Sequence, residues 1–437
     1  MLEADIRQLI AQGESLSVAF ARRASAAYIN ERRVIETMAC MANAGGGTLL
    51  IGVDRDGTVS GCHPFHGDVT DPALLSSAVF RHTTPGLPVE VREVRVGGLP
   101  VVAVTVAAQP SPVATSWGVY RTRRVNAQGT PECVGMDPAT VVTRYRDANG
   151  MDWAQTPALG AAIADVSPRA VDAYRGLLTD TRLAQLDNEG LIRALGFLDD
   201  SDDPVALGAI ALFGTPDAVR RYLPYHVLTV ADRRKTEGRL SPATIRSSAP
   251  LAPMLADLKR NADTFGPAFP LVINALTHRD YFLPGPVYVA LDDKGAKVSS
   301  PGGAPRGVDL AEAASGNASY APRSLYLSTA LARTSVSEGA GTGLAGMAGT
   351  GVSFDGSHDQ GVTASVSWAS AEASELGGNE AKVLLAVREV DGDGASSSDI
   401  ARAAGLSSQQ AYRALRKLVN RGLIRRTGET RTTRYLP

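Results

Sequence analysis

The sequence has little cysteine. Cys40, Cys62 and Cys133 are the only three in 437 residues, and they are scattered rather than paired as C-x-x-C. This spacing excludes the closely spaced thiols of a structural zinc site and the dense cross-linking of a small secreted domain. The sequence therefore predicts no disulfide framework, which fits a reducing cytoplasm.

Long apolar runs are missing too. No stretch of about eighteen apolar residues occurs, so the sequence predicts no membrane span. The N-terminus, Met1 to Arg7, is polar and amphipathic and lacks the apolar core of a signal peptide. We expect a soluble, cytoplasmic protein with no membrane partner.

The chain also lacks an excess of charge of either sign, but its charge is unevenly distributed. The net charge is −1, yet residues 400–437 hold nine basic residues and one acid, which gives +8 there and −9 elsewhere. A basic segment on an acidic body favours a nucleic-acid partner. At 437 residues, with 44% hydrophobic and 20% charged residues, the chain is long enough for several packed domains.

Residues 1–150 form the first predicted domain. Helices are predicted over Glu3–Gln12 and Glu31–Asn43, and a run of glycines joins the second helix to the apolar strand Thr48–Val53. The segment 14–137 resembles a Schlafen/AlbA-type DNA-binding domain. The residues that match this family's pattern are Glu14, Phe20, Ala42, Asn43, Gly46, Gly47, Ile51, Gly52, Val53, Asp54 and Gly57.

The resemblance implies that two clusters of arginines contact DNA phosphates. They are Arg22, Arg23, Arg121, Arg123 and Arg124, and both clusters lie in segments that match the family pattern. The alternative is a solvated charged face, which is the more common situation for any single arginine.

Some members of this family are ribonucleases that hold a metal with three carboxylates. The second glutamate of that set is replaced by Ala19, which leaves only Glu14 and Asp54 as metal ligands. Two carboxylates neutralise a divalent cation poorly and hold it weakly. The resemblance therefore implies at most a residual metal site.

The second predicted domain, residues 167–250, reads as an α/β lead-in segment. It contains predicted helices over 170–178 and 188–197, followed by the apolar run Val205–Gly214, which we interpret as a buried strand. No set of residues in it suggests catalysis.

A further set of motifs lies in the third predicted domain, residues 251–368. Asn274-Ala-Leu-Thr-His-Arg-Asp-Tyr281 is followed by Ser299-Ser-Pro-Gly-Gly303 and by a glycine-rich run from Glu338 to Met347. In this order they resemble the ATP-binding domain of RecG-related bacterial transcriptional regulators, a branch of the GHKL ATPases. The resemblance implies that ATP or ADP with Mg²⁺ contacts Asn274, His278, Asp280, Gly302, Gly303, Gly341, Thr342 and Gly343.

This family's general base is missing from the chain. It is a glutamate four residues before Asn274, where this sequence has Pro270, and proline cannot relay a proton. We therefore expect nucleotide binding without hydrolysis and assign no catalytic residue. The alternative is that Gly339–Gly351 is only a flexible linker, and that His278 and Asp280 bond each other and the backbone.

The C-terminal segment 380–437 predicts three helices and a hairpin. Helices are expected over Glu380–Val390, from a cap at Ser397 or Ser398 through Ala404, and from a cap at Ser407 or Ser408 to an end at Asn420–Gly422, with short strands around Gly428 and Glu429. This order resembles the winged helix-turn-helix of bacterial transcription regulators.

The resemblance implies that the third helix lies in the major groove of DNA. The residues assigned to base edges are Ser408, Gln409, Gln410, Tyr412 and Arg413, and those assigned to phosphates are Arg416, Lys417, Arg421, Arg426, Arg431 and Arg434. The alternative is a winged helix that docks on another protein.

The predicted fold class is therefore an α/β multi-domain protein: an α+β Schlafen/AlbA-type domain, an α/β lead-in domain, an α/β-sandwich GHKL-like core and a winged helix. We interpret the chain as a DNA-binding transcriptional regulator that binds double-stranded DNA as a homodimer. Two alternatives stay open: a metal-dependent nuclease in phage defence, and a switch in which bound nucleotide alters DNA affinity.

Overall fold

The computed structural model describes residues 2–22, 30–198, 204–236, 239–240, 243–304, 308–315, 321–337, 351–357, 361–374, 376–390, 394–428 and 433–436. The chain divides into two units, Met1–Met151 and Asp152–Pro437. Among the described residues, every helix is too short or too polar to cross a membrane.

The first unit alternates helices with strands. Its elements are α1 (Glu3–Gln12), β1 (Val18–Ala21), α2 (Glu31–Ala42), β2 (Gly46–Ile51), α3 (Pro72–Arg81), β3 (Thr83–Thr84), β4 (Val89–Val96), β5 (Leu99–Ala107), β6 (Ala114–Thr115), β7 (Arg121–Val125), β8 (Pro131–Gly135) and α4 (Pro138–Ala148). The two helices predicted at the start of the chain are confirmed, and Asn43 caps the C-terminus of α2.

The central sheet of this unit has an apolar core on each face. Its strand order is β1-β2-β5-β4, with β1 parallel to β2 and the other neighbours antiparallel. Because side chains alternate along a strand, Val102, Val104 and Val106 join the core cluster of α2 and α3. Val101 and Ala103 join the cluster that contains Ile6 of α1.

Strands β7 and β8 pair with each other as a two-stranded hairpin, which packs against α2. Cys133 on β8 forms a disulfide with Cys40 on α2, so the prediction of a chain without disulfides was wrong. The two cysteines are 93 residues apart in sequence, and only the packing of the hairpin on α2 brings their Cα atoms to 6.1 Å. Cys62 is buried and is not part of this bond.

The second unit begins with helices and ends with a separate helical cluster. Its elements are α5 (Pro168–Arg175), α6 (Thr181–Ala184), α7 (Asn188–Ala194), α8 (Leu207–Phe213), α9 (Pro216–Tyr222), β9 (Leu228–Asp232), β10 (Lys235–Thr236), β11 (Arg239–Leu240), β12 (Ala243–Ser247), α10 (Leu251–Arg260), α11 (Ala262–Phe265), α12 (Phe269–His278), β13 (Val287–Leu291), β14 (Gly295–Ser300), α13 (Leu310–Ala314), α14 (Leu325–Ala332), β15 (Ser353–Ser357), β16 (Gly361–Ser367), α15 (Trp368–Ser374), α16 (Gly378–Arg388), α17 (Ser397–Ala403), α18 (Ser408–Asn420), β17 (Arg425–Thr427) and β18 (Arg434–Leu436). Short 3-10 turns cover Trp153–Gln155, Ile163–Asp165 and Gly266–Ala268.

A six-stranded mixed sheet organises residues 153–371. Its order is β12-β9-β13-β14-β16-β15, with β9 parallel to β13 and the other neighbours antiparallel. Helix α12 packs on β13 and β14, and one continuous core cluster includes Val171 of α5, Ile210 of α8 and Val289 of β13. The helical segment before β9 and the sheet therefore share a single core.

The apolar run predicted as a strand over Val205–Gly214 is instead helix α8. Every residue from Leu207 to Phe213 is buried, so the run shows no amphipathic period. Continuous apolar runs of this length fit a buried helix as well as a buried strand, and the surrounding packing decides between them. The helix ends at Gly214, whose N–H donates to the Ile210 carbonyl.

The last segment folds as three helices and a hairpin, as predicted. Helices α16, α17 and α18 enclose their own core, which contains Val383, Leu384, Ile400, Leu415 and Leu418. Strands β17 and β18 pair antiparallel, and Tyr435 of β18 bridges back to Ala395 before α17. This bridge ties the hairpin to the helices.

Candidate nucleic-acid interface

Helix α18 carries a polar stripe opposite its apolar side. Ser407 caps the helix, because its hydroxyl accepts a hydrogen bond from the Gln410 N–H at 3.3 Å. The buried side consists of Ala411, Ala414, Leu415 and Leu418. The stripe consists of exposed residues at helical spacing on the opposite side: Gln409, Arg413, Arg416 and Asn420. We call these four residues the reading stripe.

Not every predicted base-reading residue lies on the reading stripe. The Oε1 atom of Gln410 accepts a hydrogen bond from the Ser407 N–H at 3.1 Å, so this side chain completes the helix cap instead. Tyr412 is 56% exposed and lies with Ser408 on the flank of the helix. Asn420 was missed, although its position four residues after Arg416 places it on the same side.

A carboxylate partly neutralises the basic side of the helix. Glu380 of α16 accepts a hydrogen bond from Lys417 Nζ at 2.6 Å and lies 3.6 Å from Arg421 NH1. The hydrogen bond from Lys417 is the main reason that the pKa of Glu380 lies below its ordinary value. Arg413 and Arg416 form no ion pair with any described residue, so both charges face solvent.

The hairpin after α18 exposes further cations. Arg425, Arg426 and Thr427 of β17 are exposed, as is Arg434 of β18, whereas Tyr435 is buried against the helices. Arg425 was not predicted as a contact, although the sequence run Arg425-Arg426 contained the signal. Arg431 lies outside the described residues.

The first unit contains a cleft of about 980 Å³. It is lined by six arginines and five carboxylates, which are Arg22, Arg32, Arg33, Arg55, Arg121, Arg123, Glu14, Glu36, Asp54, Asp56 and Glu132. Strand β1, helix α2 and the hairpin β7–β8 contribute to its walls, and Cys133 also lines it. We call it the arginine cleft.

Ion pairs occupy part of the arginine cleft. Glu36 lies 3.3 Å from Arg32 Nε and 3.9 Å from Arg121 NH1, and it also accepts a hydrogen bond from the Trp117 indole at 3.2 Å. Within the described chain, Arg33 and Arg55 have no carboxylate within ion-pair distance. The cleft therefore keeps guanidinium groups that an anion can reach.

Arg123 differs from its predicted role as a phosphate contact. Its side chain is only 6% exposed, and it donates hydrogen bonds to the carbonyls of Ser15 at 2.8 Å and Val18 at 3.2 Å. Burial lowers the pKa of its guanidinium, and the charge of Glu14 opposes that shift. Arg123 thus fixes the hairpin to the start of β1 and to the segment before it.

The other arginines of this unit that were predicted to contact phosphates lie in different environments. Arg22 is exposed and lies 3.5 Å from Asp54, Arg121 lines the cleft, and Arg124 is exposed on the opposite face of β7. Arg23 lies outside the described residues. Sequence reasoning missed Arg32, Arg33 and Arg55, and the signal available was the pair Arg32-Arg33 on the polar side of α2.

The two carboxylates proposed as metal ligands are engaged by other groups. Glu14 accepts a hydrogen bond from the Phe20 N–H at 3.0 Å and lies 3.8 Å from Arg123. Asp54 accepts one from the Ser60 hydroxyl at 2.9 Å. In the described ranges, no three His, Cys, Asp or Glu side chains gather to hold a metal. Metal binding by Glu14 and Asp54 stays a prediction, and the donors around them fit it poorly.

Asn43 anchors the hairpin from the end of α2. Its side chain exchanges two hydrogen bonds with the backbone of Val113, both at 2.8 Å, and donates a third to the Arg121 carbonyl at 2.8 Å. The residue is only 3% exposed. One buried amide therefore positions the strand that carries Arg121.

We expect the substitution Asn43→Ala to lower the free energy of unfolding of the first unit by about 2 kcal/mol, because it leaves buried backbone groups without partners. Amide hydrogen exchange of residues 2–151 measures this change, because it reports stability region by region. Asn149→Ala is the matched control, since among the described residues the Asn149 amide bonds only the exposed carbonyl of Tyr145. An equal effect of both substitutions would contradict the anchoring role.

The predicted nucleotide motif builds the turn that follows α12. Arg279 is fully buried and donates to the carbonyls of Asp280, Leu283 and Gly285 at 3.2–3.4 Å. The Oδ1 atom of Asp280 accepts a hydrogen bond from the Phe282 N–H at 2.8 Å. A Cβ atom on Gly302, whose φ is 91°, would lie 2.7 Å from the Asp280 Cβ atom. These residues therefore have structural roles in the turn.

Other residues of the nucleotide motif contribute less to this turn. Asn274 is half-buried on α12 and Gly303 is buried, whereas Gly341, Thr342 and Gly343 lie outside the described residues. The Oδ2 atom of Asp280 and the Nδ1 atom of His278 are buried without a hydrogen-bond partner in the described chain, and no bond joins the two side chains. Nucleotide binding stays a prediction.

Two histidines lie near this turn, of which His226 is buried and His278 is half-buried. His226 is 1% exposed, its Nε2–H donates to the Ala249 carbonyl at 2.7 Å, and its ring stacks on Tyr281 with centroids 5.6 Å apart. Burial lowers the pKa of His226 to about 4, and the nearby Arg279 adds to the shift. Burial likewise lowers the pKa of His278 to about 4, assisted by Arg323.

Comparison with known proteins gives matches to two separate parts of the chain. Residues 14–130 match the family model described as Schlafen, AlbA_2, and residues 374–434 match the model of the MarR family. No curated protein matches the sequence.

Two solved structures resemble the chain weakly. The match to the crystal structure of the DIP2311 protein from Corynebacterium diphtheriae spans 100% of this chain and 99% of the DIP2311 chain, with 18% identity and a TM-score of 0.40. The match to the N-terminal domain of a RecG-related protein from Nitrosomonas europaea spans 26% of this chain and 80% of that domain's chain, with 19% identity and a TM-score of 0.20.

Proposed function

We propose that the chain is a DNA-binding transcriptional regulator whose winged helix binds duplex DNA. The observation that carries this proposal is the reading stripe, which presents two arginines without ion-pair partners among the described residues. The match of residues 374–434 to the MarR family supports it.

The side chains of the reading stripe suit contacts in the major groove. An α-helix fits this groove, and side chains on its outer side reach the base edges. Arg413 suits the two acceptors of guanine, and Gln409 suits the acceptor and donor of adenine. Arg416 and Asn420, farther along α18, then contact bases or the adjacent backbone.

Phosphate contacts come from the surrounding cations. Arg425, Arg426 and Arg434 extend from the hairpin, and Lys417 and Arg421 lie beside the stripe. Glu380 compensates part of the charge of Lys417 and Arg421. These two residues therefore contribute less to DNA affinity than two unpaired cations would. Neutralising several phosphates makes affinity strongly dependent on salt.

The first unit supplies a second nucleic-acid contact in this proposal. The match to the Schlafen, AlbA_2 model and the arginine cleft both support it. The chain acts as a homodimer, because paired winged helices recognise paired half-sites on one duplex.

Selection from a random duplex library, followed by titration of the enriched sequence at several salt concentrations, tests the proposal. We expect one two-fold symmetric sequence to be enriched, and log K to fall against log salt with a slope of about −4 or steeper. A winged helix that only docks on proteins would enrich no sequence and would not bind duplex even in dilute buffer.

A further inference from the structure

The Cys40–Cys133 disulfide lies at the wall of the arginine cleft. Cys40 is fully buried in α2, whereas Cys133 is half-buried and lines the cleft. A reagent that enters the cleft therefore reaches Cys133, which lines it, rather than Cys40, which does not. The neighbouring guanidinium groups also attract an anionic thiolate.

The disulfide is one of few attachments of the hairpin β7–β8. The hairpin belongs to no larger sheet among the described strands, and an isolated two-stranded hairpin is only marginally stable. Besides the disulfide, the described contacts that hold it include the anchor at Asn43, the hydrogen bond from the Thr122 hydroxyl to the Asn43 carbonyl, and the contacts of Arg123 and Arg121.

The Cys40–Cys133 disulfide lies next to the arginines of the hairpin. Cys133 is the cross-strand partner of Arg123, so both side chains project from the same face of the hairpin. Arg121 lies two residues before Arg123 and shares that face. A change at Cys133 therefore acts directly on the rung of Arg123, two residues along β7 from Arg121.

We propose that the Cys40–Cys133 disulfide is a thiol–disulfide exchange site that sets the affinity of the arginine cleft for nucleic-acid phosphates. The proposal rests on the proposed function of the chain as a DNA-binding protein. In the oxidised form the hairpin is fixed on α2 and the guanidinium groups are preorganised. In the reduced form the hairpin loses this attachment, and binding has to include the cost of ordering it.

The exchange is balanced with a low-molecular-weight thiol as the co-reactant. The thiolate attacks Sγ of Cys133, the Cys40–Cys133 bond breaks, and Sγ of Cys40 leaves with the electron pair and takes up a proton. A second thiol then attacks the mixed disulfide and releases Cys133 as a thiol. Two small thiols are oxidised to their disulfide, and the protein gains two thiols. Disulfides of proteins in reducing compartments are usually redox-sensing or catalytic in this way.

The first part of the test does not involve DNA. We expect the full chain purified without reductant to expose one titratable thiol after denaturation, that of Cys62, and the reduced chain to expose three. Amide hydrogen exchange in residues 120–135 should be faster in the reduced protein. Three thiols in the unreduced protein, or equal exchange in both states, would overturn the proposal.

The second part measures binding to a short fluorescein-labelled duplex. The full chain carries Arg413→Ala and Arg416→Ala, so that binding by the cleft dominates the signal. We expect the reduced protein to bind about tenfold more weakly than the oxidised one, because preorganisation of the hairpin is lost. The double variant Cys40→Ser with Cys133→Ser should match the reduced protein in both conditions, and Cys62→Ser should still respond.

These outcomes separate the two proposals. Equal affinity in both redox states, with sequence-specific binding by the unaltered chain, would refute the exchange site and leave the regulator intact. If the unaltered chain binds no DNA, the proposed function fails, while thiol titration and hydrogen exchange still decide whether the disulfide controls the hairpin.

Discussion

Replacing Arg413 and Arg416 together with alanine is expected to weaken binding of the enriched duplex about a hundredfold, or roughly 3 kcal/mol. Both side chains lie on the reading stripe and form no ion pair with a described residue, so their substitution removes interactions with DNA without breaking any within the protein. The salt dependence of log K should become shallower by about one for each phosphate that is no longer neutralised. Fluorescence anisotropy across a salt series measures both quantities.

Two further variants control this result. Lys382→Ala removes an exposed cation from α16, away from the stripe, and should leave affinity unchanged. Glu380→Gln removes the carboxylate that compensates Lys417 and Arg421, and should strengthen binding several-fold with a steeper salt dependence. If all three variants weakened binding equally, general destabilisation of the winged helix would explain the data better than DNA contact.

Acidification is expected to destabilise the second unit by about 3 kcal/mol between pH 6.5 and pH 5. His226 and His278 are held neutral in the folded state, with pKa values lowered to about 4 from an ordinary 6.5. The unfolded chain binds these protons more readily, so the stabilising contribution is complete above pH 6.5 and is lost as the pH falls toward 4. Each histidine contributes roughly half.

Urea denaturation at a series of pH values measures this loss. His226→Phe keeps a ring that stacks on Tyr281 but removes the titrating group, so its stability should change about half as steeply over the same range. A variant whose pH dependence equals that of the unaltered chain would show that His226 is protonated without penalty.

Local sequence patterns were sufficient to predict the helices whose signals lie within a few residues of one another. The apolar spacing of α1 and α2, and the serine cap and apolar spacing of α18, gave their positions to within a few residues. The same reasoning misread α8, because a run that is buried on every side carries no period. Its helical form follows from the packing of helices around it, which no local window contains.

In the candidate site, too, some features could be predicted from local sequence and others depend on distant contacts. The helical spacing of α18 was enough to place Gln409, Arg413 and Arg416 on its exposed side, although Arg416 had been predicted as a phosphate contact. Arg123 could not, because its burial depends on the carbonyls of Ser15 and Val18, more than a hundred residues earlier. The disulfide was missed for a related reason, since only the packing of the hairpin on α2 brings Cys40 and Cys133 together.

Strand β5 of the first unit contributes alternate residues to two different cores, and this restricts how the unit can vary. Sliding β5 by one position against β2 would turn Val102 and Val104 toward α1, and Val101 and Ala103 toward α2. Two apolar layers would be mismatched at once, so no neighbouring alignment is tolerable. Insertions between strands should therefore be accepted, whereas a single-residue deletion within Leu99–Ala107 should abolish folding of the unit.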